Sequence, residues 1–260
     1  MNLPFSKLEE SKFPIKEAAV TFDTPQGNVP TDYKLIVRED TNKILSCMTN
    51  SYKVIDNSTL LDAALPRLEE MGAVLQETNI FGGGARCQWK FRFPDLKVKV
   101  DKGDYVNPTI HIKNSYDGFY EASAVAGAFR LICSNGLVIG YTFGKSSARH
   151  HIGSKKLEID SIITDVVDSV VNIMKTDFPN LVETELNKKD TANLLTSFPS
   201  QYMEVAMRKM VGKPPKTYWD LLNVATWVAT HQMDRKKEAT HKFESDIYKK
   251  INNMATIARA

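Results

Sequence analysis

A row of basic residues near the middle of the sequence is the strongest chemical signal in the chain. Apolar and cationic side chains alternate in the stretch RCQWKFRF, so the two sets face opposite sides of a strand. The parity changes after Pro94, which indicates a break or bulge there. The cations that the pattern places together in open solvent are Arg86, Lys90, Arg92, Lys97 and Lys99. Such a surface can follow the phosphates of a nucleic acid, although a solvated sheet face has the same pattern.

Further basic side chains flank this row. They are Lys113, Lys145, Arg149, His150, Lys155 and Lys156. His150 and His151 are adjacent in sequence, and adjacent histidines on an extended segment point in different directions. They therefore do not make the i, i+4 pair of a helical zinc site. The pattern favours a basic loop that contacts phosphates over a metal centre.

Aromatic residues near the basic row have two interpretations. Tyr116, Phe119 and Tyr120 lie in a turn-rich segment and offer faces on which bases can stack. Trp89 has the opposite parity to the cations, which favours a place in the core. The hypothesis of nucleic-acid binding therefore depends on the cations.

The charge of the chain is unevenly distributed. Residues 1–80 hold eight Lys/Arg and twelve Asp/Glu, a net charge of −4, whereas residues 81–156 hold twelve and five, a net charge of +7. The remaining residues are balanced, with fourteen of each sign. A basic middle third attracts polyanions. It also allows a head-to-tail contact in which the acidic first third of one copy meets the basic middle of the next.

The remaining candidates for chemistry are weaker. Asp117 and Glu121 form a close acidic pair, but no Ser/His/Asp or Cys/His arrangement accompanies them. Asp117-Gly118 is also a strong turn dipeptide. The Gly82–Gly84 run lacks the ending of a P-loop, which favours a hairpin connection over a phosphate cradle. We expect no catalytic residue, no cofactor and no metal; a metal-dependent enzyme acting through Asp117 is the weakest alternative.

The first half of the chain has mostly strand patterns. Runs of β-branched and aromatic residues at 33–40 and 44–55 predict a hairpin, and a helix with a Thr59/Asp62 capping box follows. Strand patterns return from residue 73 to residue 113. Residues 121–130 fit either a short helix or a strand. The first thirty residues are rich in Pro and predict an irregular arm.

Helical periodicity begins near residue 157. An apolar stripe runs from Ile159 to Met174, Pro179 and Pro199 are expected to end helices, and further helices are predicted at 202–211, 218–231 and 235–258. The stripe of the 218–231 helix favours core packing over docking of a partner. The sequence thus predicts an α+β fold with an antiparallel sheet-rich N-terminal part, residues 1–155, and a helical C-terminal part, residues 156–260.

The cysteines and the ends of the chain bear on compartment. Cys47, Cys87 and Cys133 are far apart and lack CxxC spacing, which argues against a disulfide framework and fits a reducing compartment. The N-terminus has acidic residues and no apolar run of a signal peptide, and no segment reaches the roughly 18 apolar residues of a membrane span. We expect a cytoplasmic protein with no membrane partner.

Several segments together resemble a known family. They are Tyr52–Asn57, Asn114–Gly118 (NSYDG), Cys133–Leu137 (CSNGL) with Arg149-His150 after it, and Trp219–Thr226 (WDLLNVAT). Their order and spacing resemble the phage/plasmid-like family catalogued as domain of unknown function nine-three-two, over roughly residues 45–235. Tyr116 departs from the family pattern, in which His is common at that position.

The resemblance implies a mobile-element origin and a place in phage DNA metabolism. A β-rich core with a basic sheet face is similar in outline to ring-forming single-strand annealing proteins, at the level of fold analogy only. Combined with the basic row, this predicts a non-enzymatic protein that binds single-stranded DNA, or RNA. It would act by annealing or protection in replication or recombination, as a homo-oligomer in the host cytoplasm. The alternative is a phage assembly or interaction protein that forms homo-oligomers without nucleic acid.

Overall fold

A computed structural model describes residues 3–119, 121–130, 135–143, 156–234 and 237–260. Its strands are β1 (Ile15–Thr24), β2 (Gly27–Arg38), β3 (Lys43–Thr49), β4 (Val74–Phe81), β5 (Arg86–Arg92), β6 (Val98–Asp101), β7 (Asp104–Ser115), β8 (Ser123–Arg130) and β9 (Asn135–Phe143). Its helices are α1 (Leu3–Glu10), α2 (Asn57–Glu70), α3 (Lys156–Glu183), α4 (Lys188–Leu195), α5 (Ser200–Gly212), α6 (Tyr218–His231) and α7 (Lys237–Arg259). The fold is α+β, with antiparallel sheets in the N-terminal half and helices in the C-terminal half, as predicted.

The first sheet has three antiparallel strands in the order β1-β2-β3. The predicted hairpin is confirmed as β2 and β3, in which Leu35 lies opposite Cys47. The expected irregular arm is wrong, because α1 forms at its start and β1 pairs with β2 as far as the turn at Thr24 and Gly27. Backbone hydrogen bonds to β2 hold β1 as a strand although its own periodicity is weak.

The second sheet has the order β4-β5-β7-β8-β9, and β6 pairs with β7 beside this path. The stretch predicted to alternate is strand β5, which pairs antiparallel with β4. The change of parity falls where expected, at a 3-10 turn over Pro94–Leu96. The segment that fitted either a helix or a strand is strand β8. Asn135-Gly136, predicted as a turn, begins β9.

Helix α2 begins earlier than its sequence pattern indicated. Asp56 is its N-cap, so Thr59 lies inside the first turn and the expected capping box is wrong. Asp62 instead accepts a hydrogen bond from Lys12 Nζ at 3.2 Å. Pro66 lies within the helix, and Gly72, at a φ of 70°, follows its end as predicted.

The chain divides into two compact units that are discontinuous in sequence. The first unit comprises Met1–Arg92, Ile110–Ala124 and Thr142–Asp165, and the second comprises Phe93–Thr109, Val125–Tyr141 and Val166–Ala260. The core of the first unit includes Phe13, Ile36, Leu61, Trp89 and Tyr116.

The second unit contains the part of the predicted α3 stripe that begins at Val166. Val166, Val167, Val170 and Met174 are fully buried, as an apolar helical stripe should be. The stripe of α6 is buried as well, which confirms its predicted core packing. Pro179 does not end α3, which continues to Glu183. Pro199 precedes α5 as its N-cap. No described helix is long and apolar enough to cross a membrane.

Candidate functional site

Arg86, at the start of β5, is engaged within its own unit. Its Nε donates to Asp117 Oδ2 at 2.7 Å, and its guanidinium carbon lies 3.5 Å from the ring centroid of Phe119. The side chains of Arg86 and Asp117 are 28% and 19% exposed. Because its Nε–H holds a carboxylate and its guanidinium covers a ring, the side chain of Arg86 is engaged within the fold.

The other cations expected on the same face of β5 are also partly covered. Lys90 and Arg92 are half-buried, Gln88 between them is buried, and Lys113 on β7 is half-buried. The expected exposure in open solvent is therefore wrong for Arg86, Lys90 and Arg92. Alternation separates the two faces of a strand, but it does not reveal that other segments of the chain cover the second face. A binding role for these residues remains a prediction.

Lys97 and Lys99 belong to the second unit and are exposed as predicted. Lys97 Nζ lies 5.5 Å from the ring centroid of Tyr105, and Lys99 on β6 pairs with Tyr105 on β7. Their apolar neighbours follow the predicted parity only in part, since Val100 is buried but Leu96 is exposed. The two lysines are thus open to a ligand.

Most of the basic loop predicted at residues 145–156 lies outside the described residues. This holds for Lys145, Arg149, His150 and Lys155, and also for Tyr120 among the aromatic candidates. Lys156 is the first residue of α3, and its side chain is not described. Their predicted phosphate contacts remain a prediction.

The turn candidates are structural. Asp117 Oδ1 accepts from the backbone N–H of Phe119 at 3.1 Å, and Gly118 has a φ of 68°. Since the other oxygen of Asp117 holds Arg86, both oxygens of this carboxylate are used by the fold. The Gly82–Gly84 run connects β4 to β5, which confirms the hairpin connection. A Cβ on Gly84 would lie 2.7 Å from Cζ of Phe13, so glycine is required there.

The NSYDG segment is fixed by a buried polar network in the first unit. Asn114 Nδ2 donates to Asn57 Oδ1 at 2.8 Å and to the carbonyl of Ile55 at 2.7 Å. The Tyr116 hydroxyl accepts from the backbone N–H of Asn57 at 2.9 Å. These bonds join the segment to the start of α2, so the resemblance at Tyr52–Asn57 and at Asn114–Gly118 reflects one network.

The network continues beneath α2 to Cys87 and Trp89. Asn57 Nδ2 donates to Cys87 Sγ at 3.3 Å, and Trp89 Nε1 donates to Ser11 Oγ at 2.8 Å. Burial raises the pKa of the Cys87 thiol to about 12 and also raises the pKa of Tyr116. Both groups therefore stay protonated near neutral pH, and Cys87 is not an activated nucleophile.

The second unit contains a basic site that the sequence patterns did not single out. Residues 208–216 (RKMVGKPPK), here called the basic segment, run from the last turn of α5 to the residue before the N-cap of α6. All its cations are exposed, namely Arg208, Lys209, Lys213 and Lys216. Its signal was available, because four cations in nine residues occur without an acidic residue. The balanced charge of residues 157–260 concealed it.

A pocket opens beside the basic segment. It has a volume of about 610 Å³, part of which is open to solvent, and its lining residues are Arg130, Lys209, Lys213, Pro214, Pro215, Asp220, Asn223, Val224 and Trp227. Lys209 Nζ lies 4.1 Å from the ring centroid of Trp227. We call this the Trp227 pocket. It combines an indole ring with ammonium groups in one concave surface.

The two other charged groups of the Trp227 pocket are held by the fold. Arg130 is paired with Asp104, with Nη2 at 2.6 Å from Oδ2, and Trp219 Nε1 donates to the same oxygen at 3.0 Å. Asp220 forms a capping box with Thr217, and its Oδ2 accepts from the backbone N–H of Lys216 at 3.0 Å. The ammonium groups of Lys209 and Lys213 are thus the pocket charges that have no carboxylate partner among the described residues.

Within the described ranges, no group of three or more His, Cys, Asp or Glu side chains could hold a metal ion. A family model described as Domain of unknown function (DUF932) matches residues 44–251, and the chain belongs to this family. This confirms the resemblance seen in the sequence. No curated protein and no solved structure matches the chain.

Proposed function

We propose that this protein binds single-stranded nucleic acid, with single-stranded DNA as the leading ligand. In this proposal it is a non-enzymatic factor of phage or plasmid replication or recombination in the cytoplasm of the host. The observation that carries the proposal is the basic segment. Its lysines are exposed, and among the described residues no carboxylate lies within 4.0 Å of Lys209, Lys213 or Lys216. Cations without an internal partner are available to phosphates.

Two further observations support a polyanionic ligand. Lys97 and Lys99 are also exposed in the second unit, and no carboxylate of the described part of the chain pairs with them. In contrast, Arg130 and Arg86 are each neutralised by an internal carboxylate. The second unit thus offers phosphate contacts from Lys97, Lys99 and the basic segment, whereas Arg86 serves the fold.

The test is binding of a labelled oligo-dT strand across a salt series. Each phosphate that a lysine neutralises contributes about −0.7 to the slope of log K against log salt for a single strand. We expect the double substitution Lys209→Ala and Lys213→Ala to weaken binding at least about tenfold and to make the slope shallower by about 1.4.

The control is the double substitution Lys188→Ala and Lys189→Ala. These lysines are exposed at the start of α4, so the change removes the same charge from the same unit without touching the Trp227 pocket. We expect it to leave the affinity within about twofold, as its effect is only on the net charge. Binding that is absent, or that does not respond to salt, contradicts the proposal.

One observation favours the assembly protein as a second function. No residue of 19–30, at the end of the β1–β2 hairpin, is buried. Phe22 and Val29 are partners across this hairpin and are 65% and 48% exposed. Exposed apolar pairs on a strand edge support self-association. Light scattering after size exclusion distinguishes the functions: oligomers that form without DNA and dissociate on Phe22→Ser favour assembly.

A further inference from the structure

The Trp227 pocket differs from the other basic surfaces of the chain because it contains an accessible indole ring. The chain has three tryptophans, of which Trp89 and Trp219 are buried at 0% and 5% exposure. Trp227 is only partly buried, and its ring lines the pocket. An indole that the core does not cover is available to a planar ligand.

We propose that the Trp227 pocket holds one nucleotide of the bound strand, with its base stacked on Trp227 and its phosphate on Lys209 and Lys213. This inference rests on the proposed function and assigns the base contact within it. The pocket is concave and partly open to solvent, and its lining combines an indole ring with the ammonium groups of two lysines, which are the partners that the base and the phosphate of one nucleotide require.

The base contact follows from the walls of the pocket. Besides the indole they include Val224, Pro214 and Pro215, which offer apolar surface to a base of any identity. The ammonium of Lys209 now lies over the indole ring at 4.1 Å. A solvent-exposed cation–π contact is weaker than base stacking on a tryptophan, so an entering base displaces it. Stacking does not read hydrogen-bond edges, and the pocket is therefore expected to accept different bases.

The phosphate contact follows from the charges that remain available. The carboxylate of Asp220 is used by the capping box of α6, and Arg130 is held by Asp104. Lys209 and Lys213 have no carboxylate partner among the described residues. When Lys209 leaves the ring, its ammonium moves to the phosphate beside that of Lys213, so one nucleotide satisfies the ring and both cations.

The first experiment uses Trp227 as its own reporter. Iodide reaches exposed indoles, so in the free protein it is expected to quench Trp227 and to spare Trp89 and Trp219. The iodide quenching that is lost in Trp227→Phe is the quenching of Trp227 itself. Saturation with oligo-dT is expected to quench Trp227 emission directly and to abolish this part of the iodide quenching. Iodide quenching that oligo-dT leaves unchanged overturns the inference.

The second experiment separates the base contact from the phosphate contact. Trp227→Ala is expected to weaken binding of oligo-dT about tenfold with an unchanged salt slope, and Trp227→Phe to recover most of that loss. Lys213→Ala is expected to make the slope shallower by about 0.7. With an abasic strand, Trp227→Ala and wild type should bind alike, because no base is present to stack.

The outcomes distinguish the two proposals. If wild type binds oligo-dT but Trp227→Ala binds it equally well, the pocket inference is wrong and the proposed function stands. If Trp227→Ala weakens the abasic strand as much as oligo-dT, the indole does not stack on a base, which also overturns the inference. If wild type binds neither oligo-dT nor oligo-rU at any salt concentration, the proposed function fails and the pocket inference fails with it.

Discussion

Arg86 in the first unit and Lys209 in the second both lie over an aromatic ring, at 3.5 Å and 4.1 Å from its centroid. Arg86 also holds the carboxylate of Asp117 at 2.7 Å, whereas Lys209 has no carboxylate partner among the described residues. The charge of Arg86 is therefore neutralised within the fold, whereas the charge of Lys209 is available to a ligand. The comparison teaches that the local density of basic residues does not identify a binding surface, because the neutralising partner comes from a distant part of the chain.

The largest expected effect is at a buried ion pair, that of Asp104 with Arg130. The Asp104 side chain is 6% exposed and also accepts from Trp219 Nε1. Asp104→Ala leaves a guanidinium and an indole N–H without their acceptor, so we expect a loss of about 3–5 kcal/mol in the free energy of unfolding. Urea unfolding measures it.

Asp104→Asn is the matched variant for this ion pair. It keeps an acceptor for Trp219 but removes the charge that Arg130 needs, so its loss should lie between zero and that of Asp104→Ala. A loss below about 1 kcal/mol for Asp104→Ala would mean that the fold does not depend on the ion pair of Arg130. The contrast between cations that the fold neutralises and cations that are exposed would then weaken.

The second effect compares the stability of alanine variants at two glycines, Gly84 in a tightly packed turn and Gly212 in open space. In Gly84→Ala the new Cβ lies 2.7 Å from Phe13 Cζ and the backbone has a φ of +118°, so we expect a loss of about 3 kcal/mol. In Gly212→Ala, within the basic segment, the new Cβ meets no atom within 4 Å. It should leave stability unchanged or raise it by up to about 1 kcal/mol, since Gly212 ends a helix.

Gly27→Ala isolates the backbone contribution to the Gly84 effect. Gly27 has the same φ of +118° but nothing within 4 Å, so its loss should be about 1 kcal/mol. Thermal unfolding of the three alanine variants ranks them. Equal losses at Gly84 and Gly27 would show that the contact with Phe13 does not contribute.

The smallest effect on stability compares Arg86 with Lys213, an exposed cation of the basic segment. Arg86→Ala removes an ion pair that is partly exposed and a stacked ring contact, so we expect a loss of about 1–2 kcal/mol. Lys213→Ala should change stability by less than about 0.5 kcal/mol, as it removes an exposed charge. Arg86→Lys should recover only part of this loss, because an ammonium keeps the charge beside Asp117 but not the planar contact with the Phe119 ring.

The affinity for oligo-dT should rank the two alanine variants in the opposite order to their stability. Lys213→Ala should weaken oligo-dT binding, while Arg86→Ala should affect it only through stability. Binding measured well below the melting temperature of each variant separates the two effects. If Arg86→Ala is folded yet binds oligo-dT much more weakly than wild type, Arg86 contributes to the binding of the strand.

Periodicity and turn chemistry by themselves determined much of the fold. The alternation of β5, the stripe of α3, the bounds of α6 and the turn at Asp117-Gly118 follow from residues close in sequence, because such signals repeat every two or 3.6 residues. The pattern of family segments determined the family in the same way, and the model matching residues 44–251 confirms it.

Tertiary structure alone decided which cations are open. The pairing of Arg86 with Asp117 joins positions 31 residues apart, and that of Arg130 with Asp104 joins positions 26 apart. Trp219 reaches Asp104 across 115 residues. No local pattern encodes such distances, since a charge is neutralised by whichever group packing brings within hydrogen-bond range. The density of cations in the basic segment is visible in the sequence, but the pocket and the Trp227 ring beside them are known only from the structure.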